Sequence, residues 1–268
     1  MSPTAVETSL AAPLLEVFAS IQGEGLYVGE PQVFVRLRGC PLRCTWCDTP
    51  GSWSVDGARE VRVDARRGVR RESSWSTPFQ TACWIAECEP GPPRTVSVTG
   101  GEPLLWPEFV RALASFASPR RIHLETAGAH PRALERVLDI VSHVSLDLKL
   151  FEDMEEPVEI EAAPTEPAPR TRAEWAEARA ECLALVRGRD AAAKVIVAGA
   201  RAPALFDELF EGVAEHAPEL PVFIQPATAV RGVEAPGIEL VTAVAERARA
   251  LDLRVRVVPQ IHRLLGIP

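Results

Sequence analysis

No run of apolar residues in this 268-residue chain approaches the ~20 that a membrane-crossing helix requires. The first fifteen residues lack the charged head and long apolar stretch of a secretory signal. The expectation is a cytoplasmic protein with no membrane partner. Positive charge is not in excess either. Twenty-nine Lys and Arg against 37 Asp and Glu leave a formal charge of −8, the wrong sign for a chain that lives on phosphate backbones or anionic lipid. Nucleic acid is therefore not expected as a partner. Internal repeats and low-complexity arrays are absent, and 47% apolar with 25% charged residues excludes disorder as the main state.

Six cysteines are present, three of them within eight residues. In a chain this long they do not read as the disulfide framework of a small secreted domain, and in a reducing compartment they read as metal ligands. Proline, with 24 residues, is over-represented, partly in Pro90–Pro93 and Pro157–Pro169, which mark loops or insertions. From Arg94 onward runs a βα rhythm, preceded by two period-2 stretches. Strands are expected at Glu16–Ile21, Val33–Leu37, Thr95–Thr99, Ile122–Glu125, His143–Asp147, Ala192–Val197, Val222–Gln225 and Arg254–Val258. Helices are expected at Pro107–Phe116, Pro131–Asp139, Arg172–Val186, Ala204–His216 and Ile238–Ala250, several opened by Pro or an acidic residue. This pattern predicts an α/β fold of roughly barrel form in one domain over 1–268, an open doubly wound sheet being the competing architecture. Two stretches break the rhythm. Residues 51–78, rich in Arg and Ser, read as a lid or insertion; residues 151–170, with seven acidic residues and four prolines, read as a solvated, poorly ordered loop.

The strongest local signal is Cys40-Pro-Leu-Arg-Cys44-Thr-Trp46-Cys47, just after a predicted strand, at the end of the sheet where βα folds carry chemistry. Zinc sites commonly use four ligands in paired halves, and no second pair is evident. Three thiolates can hold three irons of a cubane and leave the fourth open to a small molecule. A second signal closes the strand Thr95–Thr99: Gly100-Gly101-Glu102-Pro103, where paired glycines let the backbone approach a ligand and Glu102 suits a cation, although a tight turn with a helix cap would look the same. Cys83, Cys88 and Cys182 read as buried small hydrophobes.

The CxxxCxxC spacing with an aromatic before the third cysteine, together with GGEP, resembles the radical S-adenosylmethionine (SAM) superfamily. Further residues narrow the resemblance: Ile21-Gln22-Gly23-Glu24-Gly25, Arg36, Asp48-Thr49, Glu125-Thr126-Ala127-Gly128, Lys149, Gln225-Pro226 and Gln260-Ile261-His262-Arg263 through Pro268. In this order they resemble the 7-carboxy-7-deazaguanine synthase family of the queuosine (deazapurine) pathway. That resemblance implies a partial, modified (β/α)6 TIM-type barrel, a homodimer, a 4Fe–4S cluster, Mg²⁺ and a flavodoxin-type or other one-electron donor. The implied reaction is conversion of 6-carboxy-5,6,7,8-tetrahydropterin to 7-carboxy-7-deazaguanine with loss of ammonia. It also implies roles for individual residues. Cys40, Cys44 and Cys47 would hold the cluster and Thr49 would reach Mg²⁺. SAM would meet Trp46, Gly101, Glu102, Glu125, Asp147, Lys149, Gln225, Pro226, Ala227 and Thr228. The pterin would meet Ile21, Gln22, Gly23, Glu24, Arg36, Thr99 and Pro268. A glycyl-radical activase shares the two leading motifs, and a zinc-binding module shares the cysteines alone.

Overall fold

The structure is a computed structural model that describes residues 10–55, 60–89 and 91–268. Its strands are β1 (Ala12–Ile21), β2 (Pro31–Leu37), β3 (Arg43–Cys44), β4 (Glu60–Ala65), β5 (Gly68–Ser73), β6 (Trp75–Ser76), β7 (Thr95–Gly100), β8 (Ile122–Thr126), β9 (His143–Leu148), β10 (Met154–Glu155), β11 (Ala191–Val197), β12 (Val222–Pro226) and β13 (Val255–Val257). The helices are α1 (Pro78–Cys88), α2 (Pro107–Ala117), α3 (Pro131–Val137), α4 (Arg172–Val186), α5 (Asp207–His216), α6 (Ile238–Arg249) and α7 (Ile261–Leu265). Proline stands at the start of α1, α2 and α3, where its missing N–H costs nothing. A capping box opens α4, with Thr171 accepting from the Glu174 N–H and Glu174 returning the bond.

Among the described residues one sheet runs in the order β13-β12-β11-β9-β8-β7-β2-β1-β4-β5, with β6 beside β1. From β2 to β13 every neighbouring pair is parallel. Each crossover carries a helix, α1 through α6 in turn, which makes the largely parallel α/β sheet of a partial TIM-type barrel. Because the strands are parallel, Leu37, Gly100, Thr126, Leu148, Val197 and Pro226 all finish at the same rim. Between sheet and helices lies the apolar core, where α2 contributes Phe109, Val110 and Leu113 against Val96, Val98 and Leu124 of the strands. All seven residues of β11 are buried, as in a parallel strand covered on both faces, yet the fourth is Lys194.

The two stretches that break the rhythm both carry strands. Residues 60–73 are a hairpin that widens the sheet: β4 pairs parallel with β1, Val61 and Val63 point into the core, and β5 pairs back onto β4. Nor is 151–170 a solvated loop throughout. A turn of 3₁₀ helix at Phe151–Asp153 leads into β10, which pairs with β3 inside the cysteine loop, and Asp153 is buried. Cys88 and Cys182 are buried as expected, whereas Cys83 is only half-buried.

Candidate active site

A cavity of about 410 Å³ opens at the rim where the parallel strands finish. Its wall begins with the cysteine loop, which main-chain bonds hold from three directions. Gly39 N–H donates to Ser52 O at 2.8 Å and Cys40 N–H to Trp53 O at 3.0 Å. Glu102 N–H donates to Gly39 O at 2.8 Å, and Thr45 N–H to Asp153 O at 2.9 Å. Arg43 donates back to the Cys40 carbonyl at 2.7 Å. Trp46 Nε1–H reaches the Asp153 carboxylate at 3.1 Å, so the 151–155 segment buttresses the loop.

Cys40, Cys44 and Cys47 are all free thiols lining the cavity. Burial raises the Cys40 pKa and pushes Cys44 up to about 11, the latter against the pull of nearby Lys149. Without a metal the Cys40 and Cys44 sulfurs are protonated, so loading one means releasing protons. Among the described residues no three His, Cys, Asp or Glu side chains converge on a point that would hold one metal ion.

The glycine pair is set by contact. A Cβ on Gly101 would stand 2.2 Å from Gly39 O and 2.9 Å from Cys40 Cβ, so only glycine lets β7 pass this close to the loop. Glu102 is not among the residues lining the cavity. Its carboxylate is fully buried, accepting from Leu104 N–H at 3.0 Å, Thr126 Oγ1–H at 2.7 Å and Ala127 N–H at 2.9 Å, and so clasps the end of β7 to β8. Pro226 likewise does not line the cavity, although Gln225, Ala227 and Thr228 do.

The remaining predicted residues converge there: Ile21, Gln22, Gly23, Glu24, Arg36, Trp46, Thr49, Thr99, Gly101, Glu125, Asp147, Lys149 and Pro268. Glu125 accepts from Gln22 at 2.8 Å, Ser97 at 2.9 Å and Thr99 at 2.9 Å. Arg36 is paired with Glu16 at 2.8 Å. Thr49 donates to Asp48 at 2.9 Å, while Asp48 also meets Arg263 at 3.1 Å. Gln225 Oε1 is buried without a partner, an acceptor facing the cavity wall.

Sequence reasoning missed the centre of the charge network. Lys194 pairs with Glu24 and, at 3.0 Å, with Asp147, which also meets Lys149 at 3.1 Å. Lys149 lies 4.8 Å over the Trp46 ring, a cation–π contact that ties the network to the cysteine loop. Burial works to raise Asp147, but Lys194 and Lys149 outweigh it and hold its pKa below the usual carboxylate range. Burial works to lower Lys194 and Lys149, and the carboxylates reverse that too, leaving both ammonium groups charged. The available signal for Lys194 was one cation inside Ala191-Ala-Ala-Lys194-Val-Ile-Val197. Gln260, His262 and Arg263 also line the cavity; Gln260 donates to Glu24 at 2.8 Å.

Residues 34–189 match the family described as the Radical SAM superfamily. Over 96% of its length the chain is 32% identical to the curated 7-carboxy-7-deazaguanine synthase of Methanothermobacter thermautotrophicus, covering 98% of that protein. The chain belongs to the 7-carboxy-7-deazaguanine synthase family of radical SAM enzymes. A 7-carboxy-7-deazaguanine synthase of Geobacter sulfurreducens is 29% identical over 95% of the chain and 97% of its own length. The fold is shared with the crystal structure of QueE from Escherichia coli, with a TM-score of 0.56, 19% identity and coverage of 96% of this chain and 98% of that one. A radical SAM methyltransferase from Sphaerobacter thermophilus shares it at a TM-score of 0.56 and 14% identity, over 87% of this chain and 67% of its own. Membership of the radical SAM superfamily implies a 4Fe–4S cluster and SAM acting on a small-molecule substrate.

Proposed function

We propose that this chain converts 6-carboxy-5,6,7,8-tetrahydropterin to 7-carboxy-7-deazaguanine with release of ammonia, in a Mg²⁺-dependent radical ring contraction. The observation that carries the reading is the meeting of two chemistries in one cavity. Three thiols and Gly101 line the same space as the Glu24–Lys194–Asp147 network, Arg36 and Thr49. The donor set fits the implied groups. Three thiols that do not converge on one ion suit a body of several irons, each taking one thiolate, with a corner left for SAM. Bound there, cluster and SAM supply a one-electron cleavage of a sulfonium and so a carbon radical that abstracts hydrogen. Thr49 and Asp48 offer the hard oxygen donors that Mg²⁺ prefers, the substrate carboxylate supplying another.

The work of the chain itself is positioning and shielding. Glu24, held by Lys194 and Gln260, presents a fixed acceptor to the amidine-like edge of a pterin. Arg36, Ile21, Gln22, Gly23, Thr99 and Pro268, which line the same cavity, would complete the pterin contacts. Trp46, Gly101, Glu125, Asp147, Lys149, Gln225, Ala227 and Thr228, also in its lining, would meet SAM. Gln225 Oε1, short of a donor, suits a ligand N–H.

Supply of electrons by a flavodoxin-type donor and a site in the cytoplasm belong to the same proposal. So does a homodimer, supported by Phe79 and Phe116, which stack edge-to-face at 5.7 Å on neighbouring helices while remaining 53% and 44% exposed. The test is anaerobic incubation of cluster-loaded protein with SAM, reductant, Mg²⁺ and the carboxytetrahydropterin, followed by mass spectrometry. The deazapurine acid is expected. Its absence with a fully loaded cluster overturns the substrate assignment and returns the activase reading.

A further inference from the structure

The cavity uses the rim where the strands end, yet the interior of the barrel stays polar all the way to the rim where they begin. Glu125, at the cavity, accepts from Gln22 Nε2 at 2.8 Å; the same nitrogen lies 3.4 Å from His123 Nδ1 and 3.4 Å from Gln32 Oε1. His123 Nε2 lies 2.8 Å from Ser145 Oγ, which lies 3.5 Å from His143 Nε2. His143 Nδ1 meets Asp190 Oδ1 at 2.8 Å. There the chain reaches the outside: Asp190 is 39% exposed, whereas Gln22, Gln32, His123, His143 and Ser145 are all buried. None of Asp190, His143, Ser145 or His123 touches the cavity.

Each link has a donor and an acceptor, so the order of protons along the chain is decided at its charged end. Asp190 is a carboxylate that also accepts from Tyr27 at 2.6 Å and Arg121 at 3.1 Å. Facing it, His143 must carry its proton on Nδ1, which leaves Nε2 to accept from Ser145. The Ser145 oxygen then accepts from His123 Nε2–H, and His123 Nδ1 is left as an acceptor. Gln22 points one N–H at Glu125 and shares the other between His123 Nδ1 and Gln32 Oε1. Its carbonyl accepts from the Glu24 N–H at 3.1 Å. Every bond agrees with its neighbour except at one point, where His123 Nδ1 and Gln32 Oε1, both acceptors, stand 3.3 Å apart and share the one Gln22 N–H.

Reversed, the same chain fails. With a proton on His123 Nδ1, two donors face each other at 3.4 Å and compete for Gln32 Oε1, and Gln22 can relieve this only by turning its amide, which gives up Glu125 or Glu24. Both imidazoles stay neutral: burial lowers the pKa of each, His143, Lys194 and Arg121 adding to this at His123 while Asp190 opposes it at both, and Arg121 adds to it at His143. Tyr27 lies edge-on to both rings.

We propose that Asp190 is a positioning residue which, through His143, Ser145 and His123, sets the proton order of this buried chain and so fixes the amide of Gln22 on Glu125. The consequence for SAM rests on the reading of Glu125 given above; the proton order does not. The test is nitrogen NMR of the full chain labelled at its five histidines, combined with SAM binding to the cluster-loaded protein. Wild type should show His143 as the Nδ1–H tautomer and His123 as the Nε2–H tautomer. Asp190→Asn can donate to His143 Nδ1 and should move both residues to the opposite tautomer, with SAM affinity falling about fivefold, the effect of one net hydrogen bond. Asp190→Glu should restore both. Ser145→Ala should leave the His143 tautomer in place and uncouple His123. A His123 tautomer that ignores Asp190→Asn overturns the proposal, as does a full switch with unchanged SAM affinity. Wild-type protein that binds no SAM refutes the reading of the cavity instead, and the spectra still decide the proton order.

Discussion

Replacing Gly101 by alanine puts one methyl group where the structure has least room for it. The added Cβ would stand 2.2 Å from Gly39 O, 2.7 Å from Gly39 C and 2.9 Å from Cys40 Cβ, against an ordinary contact of 3.4 Å or more. Two of these are backbone atoms, so no side chain can rotate away, and the Gly39–Cys40 segment must retreat by about 1 Å. Overpacking of this kind costs about 1–3 kcal/mol. Retreat also stretches the 2.8 Å bond from Glu102 N–H to Gly39 O, worth about another 1 kcal/mol. If the whole fold bears the roughly 2–4 kcal/mol, Tm falls by about 4–16 °C. If the loop alone yields, Tm holds and Cys40 leaves its place, so iron per chain falls after anaerobic reconstitution. The assay is therefore thermal unfolding paired with iron and sulfide analysis. Gly51→Ala is the control, since a Cβ there meets nothing within 4 Å. A Gly101→Ala protein with wild-type Tm and a full complement of iron would refute the reasoning.

Gly23→Ala should act elsewhere in the cavity lining: its Cβ would overlap His262 Nδ1 at 1.9 Å and touch His262 Cβ at 3.0 Å, so the His262 side chain must turn and α7 should loosen, with proteolysis after Arg263 faster than in wild type. Lys194→Met removes the cation between Glu24 and Asp147. Because Gln260 and Lys149 remain as partners, a loss of about 3 kcal/mol in denaturant unfolding is expected, with partial recovery in the Lys194→Met, Glu24→Met double variant. Stability should also fall with acid. His123 and His143 are held below their ordinary 6.5 by burial, so the unfolded chain takes up their protons first. The stabilisation is complete above about pH 6.5 and is lost as pH drops from there toward the folded values. Equal Tm at pH 7.5 and pH 5.5 would contradict this.

What the sequence made legible was contiguous chemistry. The three thiols sit within eight residues and the glycine turn within two, so spacing alone brought both to one site. The parallel strands were equally plain, because β-branched runs such as Val195–Val197 need no partner to be recognised, and α4 has the bounds expected for it, Arg172–Val186. The β4–β5 hairpin was hidden because β5, Gly-Val-Arg-Arg-Glu-Ser, offers no apolar face and owes its strand form to pairing with β4. β3 and β10 span two residues each, too few for any period to show. Lys194 was missed because its partners Glu24 and Asp147 lie on distant segments, and the direction of the Glu102 side chain was not legible because it depends on donors supplied by β8.

The bonds that hold the cysteine loop run through Gly39, Cys40, Thr45 and Glu102 main-chain atoms and involve no sulfur. A molecule stripped by oxygen of whatever its thiols carry would keep these bonds. The loop is then expected to hold its shape for recharging in place, so that the polypeptide can outlast its most perishable part.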